Sequence, residues 1–345
     1  MIACLYGELY APFVEEIVRD VRRAAAAAGG AVWPITVEAA GAQRERCAEV
    51  HRLYILPFDP PAKVEPAETP STLVQALFPR AEVVTPFAVQ DLCSDKVATQ
   101  ERLVDRGIPV PDTLISSEPA EVYDFVRTHG YAVLRDRYAC GSQSHIALWL
   151  DEGHLVGDSG SHQYRLDLVR QGRRQLQGVH LTYPAPFYVQ RLIADIGPRW
   201  VTPGQVVRAY VIDHQIAFWT EAYRDRYHRP ADWISTGGPD GRYRFLQNVS
   251  EEAQKIALRT ADVIGMRMGA VDLVRTGSSG PYVLEVVVDS YRMIIDRQFK
   301  QIPEYRDFFD LDRYIAEALL IEPTPVATRR LPRPEKPRRR RDHRP

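Results

Sequence analysis

The stretch Gly269-Ala-Val-Asp-Leu-Val-Arg275 runs into Thr276-Gly-Ser-Ser-Gly280 and returns as Pro281-Tyr-Val-Leu-Glu-Val-Val-Val-Asp289. Two runs of β-branched residues around a Gly/Ser turn predict a β-hairpin. With Thr276 opposite Pro281, Val274 faces Val283 and Asp272 faces Glu285. Directly opposed side chains share one face, with Cβ atoms about 5 Å apart. Two facing carboxylates repel unless a cation lies between them. A hard divalent cation such as Mg²⁺ fits, because it takes one or two carboxylates together with phosphate oxygens. The other face, Val271, Leu273, Leu284, Val286 and Val288, is then buried. Two solvated carboxylates on a surface hairpin are the alternative, and the rest of the chain has to decide.

A chain of 345 residues can form two or three lobes around a substantial core. Hydrophobic content of 45% and charged content of 26% are ordinary for a soluble globular protein. No apolar run approaches the ~18 residues of a membrane span, and Met1 to Glu8 lacks the features of a signal peptide. The four cysteines, Cys4, Cys47, Cys93 and Cys140, form no CxxC pair. This argues against a zinc site or a disulfide framework and for a reducing cytoplasm. From Arg329 to Pro345 there are nine Lys/Arg against two Asp/Glu, a net +7; with −1 for the whole chain, the remainder carries −8. Interrupted by Pro332, Pro334, Pro337 and Pro345, this tail is expected to be disordered. A basic tail can hold nucleic acid or an acidic surface, or serve as a solvated extension.

Residues 1 to 90 alternate strand and helix: strands at Ile2–Tyr6, Val32–Val37, Leu53–Phe58 and Glu82–Thr85, and a helix from Pro12 ended by Gly29-Gly30. Such alternation predicts a small parallel sheet flanked by helices, either a scaffold or one edge of a substrate site. Pro57–Pro70 is a proline-rich loop. Next, Ser94 is expected to cap a helix that Gly107 and Pro109 terminate. Lys96 in its first turn adds to an already positive helix start, which suits an incoming anion, although a lone Lys is usually solvated. Tyr131–Asp136 and Ser144–Leu150 read as paired strands around the small, polar loop Arg137–Gln143, with Arg135 at the end of the incoming strand. Residues 151 to 183 read as a polar insert with an amphipathic piece around Tyr164–Leu176. Phe187–Ile193 is a strand followed by Asp195. Val206–Ile212 and Gln215–Ala222 form a hairpin across Asp213-His214. Arg208, inside an apolar strand, must be paired, either in a structural ion pair or with an anion. Ser250 caps a helix stopped by Gly265, and a last helix is expected near Leu311–Leu320.

This order resembles the ATP-grasp superfamily, in particular the branch of glutamate ligases that modify protein tails and of glutathione synthetases. The resemblance rests on the Ser-Asp-Lys helix start leading to Gly-Ile-Pro-Val-Pro-Asp-Thr, the cation before a small-residue loop, Val-Gln-Arg-Leu-Ile, Val-Val-Arg-Ala-Tyr-Val, and Gly-Ala-Val-Asp-Leu-Val-Arg with Tyr-Val-Leu-Glu-Val. It runs from about Asp91 to about Leu320.

The resemblance implies an α/β (α+β) fold in which two α+β lobes grip ATP, preceded by a small parallel-sheet domain. The divisions implied are 1–90 for that first domain, 91–322 for the ATP-grasp domain (small lobe about 91–185, large lobe about 186–322) and 323–345 for the tail. It further implies that Lys96 and Arg135 touch nucleotide phosphates, Arg135 replacing the usual lysine. The loop Cys140, Gly141, Ser142, Gln143 and Ser144 would close over them. Gln190, Arg191, Leu192 and Ile193 would form the adenine hinge, and Asp195 would bind the ribose. Arg208 would steady the transferred phosphate, and Asp272 and Glu285 would hold Mg²⁺, or Mn²⁺ in its place.

Three departures stand out. Arg191 occupies a hinge position that is usually acidic. The phosphate loop has few glycines. Val287 replaces an asparagine ligand, for which Asp289, two positions beyond on the same face, is a candidate substitute.

The implied function is an ATP- and Mg²⁺-dependent ligase that joins a small-molecule or peptide carboxylate to an amine or other nucleophile through an acyl phosphate. The alternative is a degenerate ATP-grasp module that binds nucleotide or a partner without turnover. Nucleic acid is expected as a partner only through the basic tail and a membrane not at all; a homo-oligomer is left open.

Overall fold

The computed structural model describes residues 1–8, 11–56, 70–138, 145–159, 163–167, 175–176, 186–197, 200–224, 227, 229–234, 242–288 and 319–320. The loop Cys140–Ser144, Asp289, most of the expected last helix and the basic tail therefore lie outside the described residues.

The first unit runs β1 (Ile2–Tyr6), α1 (Ala11–Ala27), β2 (Val32–Thr36), the short helices α2 (Val37–Ala40) and α3 (Arg44–Cys47), β3 (Arg52–Ile55), α4 (Pro70–Leu77) and β4 (Glu82–Val83). Its strands form the parallel sheet β2-β1-β3-β4, as the strand-helix alternation predicts. One face packs Leu5, Ile35, Leu53, Leu77 and Phe78 together. On the other, α1 buries Val14, Ile17, Val18, Val21 and Ala25, the apolar stripe of a 3.6-residue period.

Two helices follow, α5 (Phe87–Ser94) and α6 (Lys96–Asp105). The expected cap is corrected by one residue. Ser94 closes α5, its hydroxyl donating to the Gln90 carbonyl, whereas Asp95 caps α6 by accepting from the Val97 and Ala98 amides at 3.1 and 3.2 Å. A carboxylate satisfies two amides there and complements the helix dipole better than a hydroxyl does. Lys96 is thus the first residue of α6.

The second sheet collects β5 (Thr113–Ser116), β6 (Tyr131–Arg135), β7 (Ile146–Asp151), β8 (His154–Asp158), β9 (Gln163–Asp167), β10 (Gln175–Leu176) and β11 (Phe187–Arg191), in the order β10-β9-β8-β7-β6-β11-β5. Helix α7 (Pro119–His129) covers one face through Val122 and Val126. Two expectations change here. The polar insert of 151–183 contributes strands β8, β9 and β10, which extend the sheet by antiparallel pairing. Strand β11, expected to open the large lobe, pairs with both β5 and β6, so the sheet does not end at residue 185.

After the hairpin β12 (Ala194–Gly197) and β13 (Trp200–Pro203) comes the third sheet: β14 (Gln205–Ile212), β15 (Gln215–Tyr223), β16 (Arg242–Leu246), β17 (Met268–Arg275) and β18 (Tyr282–Val287), ordered β16-β15-β14-β17-β18. Between its strands lie α8 (Pro230–Ile234) and α9 (Glu251–Ile264), the latter capped by Ser250 as expected. Helix α9 presents Ala253, Ala257, Ala261 and Ile264 to Val207, Ala209, Val271 and Leu273 on one face of the sheet. Each fully buried Val or Leu there contributes about 1.5–3 kcal/mol. The opposite face is shared. Tyr210, Ile212, Phe218, Met268 and Ala270 pack against α1, which ties the first unit to the third sheet. No helix among the described residues is long and apolar enough to cross a membrane.

Candidate active site

The third sheet carries a row of side chains across four strands. Thr220 pairs with Arg208, Arg208 with Asp272, and Asp272 with Glu285. They lie on the face that α1 covers farther along, at residues 210, 268 and 270, so the row sits where that apolar cover ends. The opposition of Asp272 and Glu285 is the one read from the sequence, but the rest of the expected register is corrected. Past Asp272 the ladder slips by one, so that Leu273 faces Val283 and Val274 faces Tyr282. The slip is a β-bulge with Leu284 as the extra residue. It also moves Leu284 off the buried face and puts Val283 there, 2% exposed. The Leu284 carbonyl, released from the ladder, accepts from Arg135 Nη1 at 3.0 Å. At the turn, Gly280 has φ +100°, a conformation a side chain would strain.

Arg208 grips Asp272 through two parallel hydrogen bonds, Nε to Oδ1 at 2.6 Å and Nη2 to Oδ2 at 2.8 Å. Glu285 receives two cations from outside the sheet: Lys96 Nζ at 3.9 Å and Arg135 Nη2 at 3.5 Å. Lys96 starts α6 and Arg135 ends β6, so two chain segments from outside the sheet converge on the row. Among the described residues, three cations meet two carboxylates in this row in a largely buried setting, which suits an anion such as a polyphosphate.

Arg135, 5% exposed, is held on all sides. Its Nε–H donates to His145 Nε2 at 3.3 Å, and Nη1 donates to Gln190 Oε1 at 3.1 Å as well as to Leu284. Its guanidinium also lies 5.9 Å from the Tyr188 ring centroid. Tyr188 in turn donates its hydroxyl to Gln100 Oε1 at 2.6 Å, and burial raises its phenol pKa. His145 is held neutral: desolvation first, then the charges of Arg135 and Lys96, push its pKa down to about 3. On the other side of Lys96, Asp95 receives Nε of Arg137 at 2.7 Å and a second bond from Nη2. The Arg137 bonds and the α6 amides keep the Asp95 carboxyl below its usual range.

The hinge residues are placed as follows. Gln190, on β11, faces Arg135. Arg191 pairs with Asp112 at 3.2 Å and lies over the Tyr282 ring at 5.6 Å. The amides of Arg191 and Leu192 donate to the carbonyls of Asp112 and Tyr131, and the Ile193 carbonyl accepts from Gly204. Leu192 and Ile193 are buried. Asp195 engages the β17–β18 turn, accepting from the Gly277 amide at 3.1 Å and the Ser278 hydroxyl at 2.6 Å. These bonds, Ser278 foremost, lower its pKa.

Lys96, Arg135, Gln190, Arg208, Asp272 and Glu285 are thus brought together, and Asp195 sits at the turn of the same hairpin. Asp272 and Glu285 offer the hard oxygen donors that Mg²⁺ takes, so the pair fits that ion, with Val287 supplying no ligand. Sequence reasoning missed Asp95, Gln100, Arg137, Tyr188 and His145. Gln100 follows Lys96 by one helical turn, a spacing that marks a shared face. A small pocket, partly open to solvent, lies between α6, β11 and β18 and is lined by Lys96, Gln100, Tyr188, Leu284 and Glu285 among others. Cys93 also lines it, and burial pushes that thiol up to about 12, which leaves it protonated and a poor nucleophile.

No protein-family profile matches the chain. Among curated proteins it is similar to the "Probable alpha-L-glutamate ligase 2" of Shewanella frigidimarina, 24% identical over 192 residues, 56% of this chain and 55% of that protein. The chain thus spans about half the length of the curated relatives it matches. Among solved structures it is similar to the ATP-grasp ligase PsnB complexed with minimal precursor, Mg and ADP, with a TM-score of 0.58 at 16% identity over 92% of this chain and 96% of that one. The macrocyclase MdnC bound with precursor peptide MdnA, from Microcystis aeruginosa, gives 0.54 at 13% over 92% and 99%. Both likenesses cover 92% of this chain, and they establish that it has the ATP-grasp fold.

Proposed function

We propose that the protein is an ATP- and Mg²⁺-dependent ligase that activates a carboxylate and joins it to an amine. The observation that carries this reading is the convergence of Lys96 and Arg135, from α6 and β6, on a row in which Arg208, Asp272 and Glu285 stand side by side. A polyphosphate bound there meets cations from two sheets at once. We place the division between the two gripping lobes after β11, within a nucleotide-binding unit of about 91–322 that follows the first unit of 1–90.

In this reading Lys96 and Arg135 bind and orient the phosphates, and Arg208 lies within reach of the transferred group. Asp272 and Glu285 would hold Mg²⁺, which neutralises phosphate charge when bound. A carboxylate oxygen of the substrate attacks the γ-phosphorus, the bond to the β-phosphate oxygen breaks, and ADP leaves. The amine then attacks the acyl carbon, phosphate leaves with the bonding electrons, and the amine loses a proton to water. Positioning and charge neutralisation carry such a reaction without a side-chain nucleophile. The hinge Gln190–Ile193 would read adenine. The loop Cys140–Ser144 would close over the phosphates, and Asp289 would take the place of the missing asparagine. The names of PsnB with its precursor and MdnC with its precursor peptide support a carboxylate borne by a peptide or an amino acid.

A specific observation favours a second reading, binding without turnover. Both carboxylate oxygens of Asp272 accept from Arg208, and the Val287 side chain offers no oxygen. Incubation with Mg-ATP and pooled amino acids and peptides separates the two. The ligase yields ADP, phosphate and a product whose mass is that of the two substrates less one water. Nucleotide binding with no acceptor-dependent ADP selects the second.

A further inference from the structure

Arginine at position 135 poses a problem that a lysine there would not. A lysine carries its three donors on one terminal nitrogen, whereas a guanidinium also carries an Nε–H set back along the side chain. Buried at 5% exposure, that donor must find its own acceptor. The structure supplies a separate partner for each side of the group: Gln190 Oε1 and the bulge-released Leu284 carbonyl for Nη1, Glu285 for Nη2 and His145 Nε2 for Nε.

We infer that His145 is a positioning residue: its Nε2 lone pair and the Leu284 bulge form a socket specific for arginine, which aims the Arg135 guanidinium at the anion site and clasps the second sheet to the third. This rests on the nucleotide-site reading above. Three further observations support it. Accepting on Nε2 requires the neutral ring, and burial beside Arg135 and Lys96 pushes the His145 pKa down to about 3. The ring also makes a backbone hydrogen bond at Ile234. Finally, the segment bearing Ile234 is itself pinned to the second sheet. Asp158, fully buried, accepts from Arg229 Nε at 3.0 Å and from the Ala231 amide at 3.2 Å, and Trp233 stands edge-on to Tyr131 at 5.3 Å. The imidazole is therefore braced by protein groups alone.

A double-mutant cycle on the full chain tests the socket, with Mg-ADP affinity by calorimetry and the thermal unfolding midpoint without nucleotide as readouts. His145→Ala is expected to weaken Mg-ADP binding about tenfold, the scale of a lost hydrogen bond to a charged group, and to lower the midpoint. His145→Gln, which keeps an acceptor, should recover most of both. In an Arg135→Lys background, which has no Nε–H, His145→Ala should add nothing further. Should the alanine variant not fold, His145→Phe fills the ring volume without an acceptor and takes its place in the cycle. Equal losses in the arginine and lysine backgrounds, or parental behaviour of His145→Ala, would overturn the inference. A parent protein that binds no Mg-ADP would instead count against the proposed function, and the cycle read in the midpoint without nucleotide would still decide whether the socket exists.

Discussion

Arg208 and Asp272 occupy directly opposed positions on β14 and β17 and close on each other through two hydrogen bonds of 2.6 and 2.8 Å. The pair sets the electrostatic balance of the site. The carboxylate that would hold a metal ion is neutralised by the arginine that would meet a phosphate. Each is thereby kept in place in a partly desolvated setting where a lone charge is costly.

Removing the carboxylates should separate fold from function. Asp272→Asn and Glu285→Gln keep the shape and one acceptor oxygen of each side chain, so circular dichroism and solubility should stay close to the parent. Turnover with Mg-ATP should fall by about two orders of magnitude or more, the scale of losing charge stabilisation at a transferring phosphoryl group. Parental turnover in both variants would mean that the row is merely a structural ion-pair network.

Asp95 offers a pH-dependent test. Its folded pKa lies below the unfolded value of about 3.9, so its contribution is present above that pH and lost as pH falls through the folded value. Asp95→Ala should cost about 1–2 kcal/mol at pH 7, from the lost cap and the released Arg137. In denaturant titrations the gap between parent and variant should narrow from pH 4 downward. A gap independent of pH would show that the loss is not electrostatic.

The carboxylate of Asp195 is committed to the turn at Gly277 and Ser278. Asp195→Ala should therefore lower the unfolding midpoint, while Mg-ADP affinity stays within about twofold of the parent, a change of under 0.5 kcal/mol. A large loss of affinity with an unchanged midpoint would instead support the ribose role that the resemblance implies.

Position 287 tests the metal account from the other side. Val287→Asn places an oxygen donor beside Glu285 and should raise turnover if the parent site lacks a ligand. Asp289→Ala should lower turnover as strongly as Glu285→Gln if Asp289 fills that role. If neither variant changes turnover, two carboxylates suffice for the ion.

Much of this was legible in the sequence because the signals were local. Hairpin periodicity put Asp272 opposite Glu285, and the strand-helix alternation of the first unit read correctly as a parallel sheet. What failed depended on single-residue geometry. The bulge at Leu284 leaves no mark in the run Tyr282-Val-Leu-Glu-Val286, so Leu284 and Val283 were exchanged between faces. The choice between Ser94 and Asp95 as cap turned on where one helix ends and another begins. His145 and Arg137 were invisible for another reason. Their roles arise from contacts with residues ten or more positions away, and a lone histidine or arginine beside a loop carries no periodic signature. The partnership of Arg208 and Asp272 spans 64 residues and required the pairing of β14 with β17.

The central claim is that Mg-nucleotide binds where Lys96, Arg135, Arg208, Asp272 and Glu285 converge, and thermal unfolding with and without ligand tests it most directly. A ligand that binds only the native state stabilises it by about 2.7 kcal/mol at a hundredfold excess over its Kd. The account predicts that millimolar ATP with Mg²⁺ raises the melting temperature by several degrees, that chelation removes most of the shift, and that Lys96→Ala with Glu285→Gln abolishes it. An unchanged melting temperature at millimolar Mg-ATP, or a shift that survives in that double variant, would contradict it.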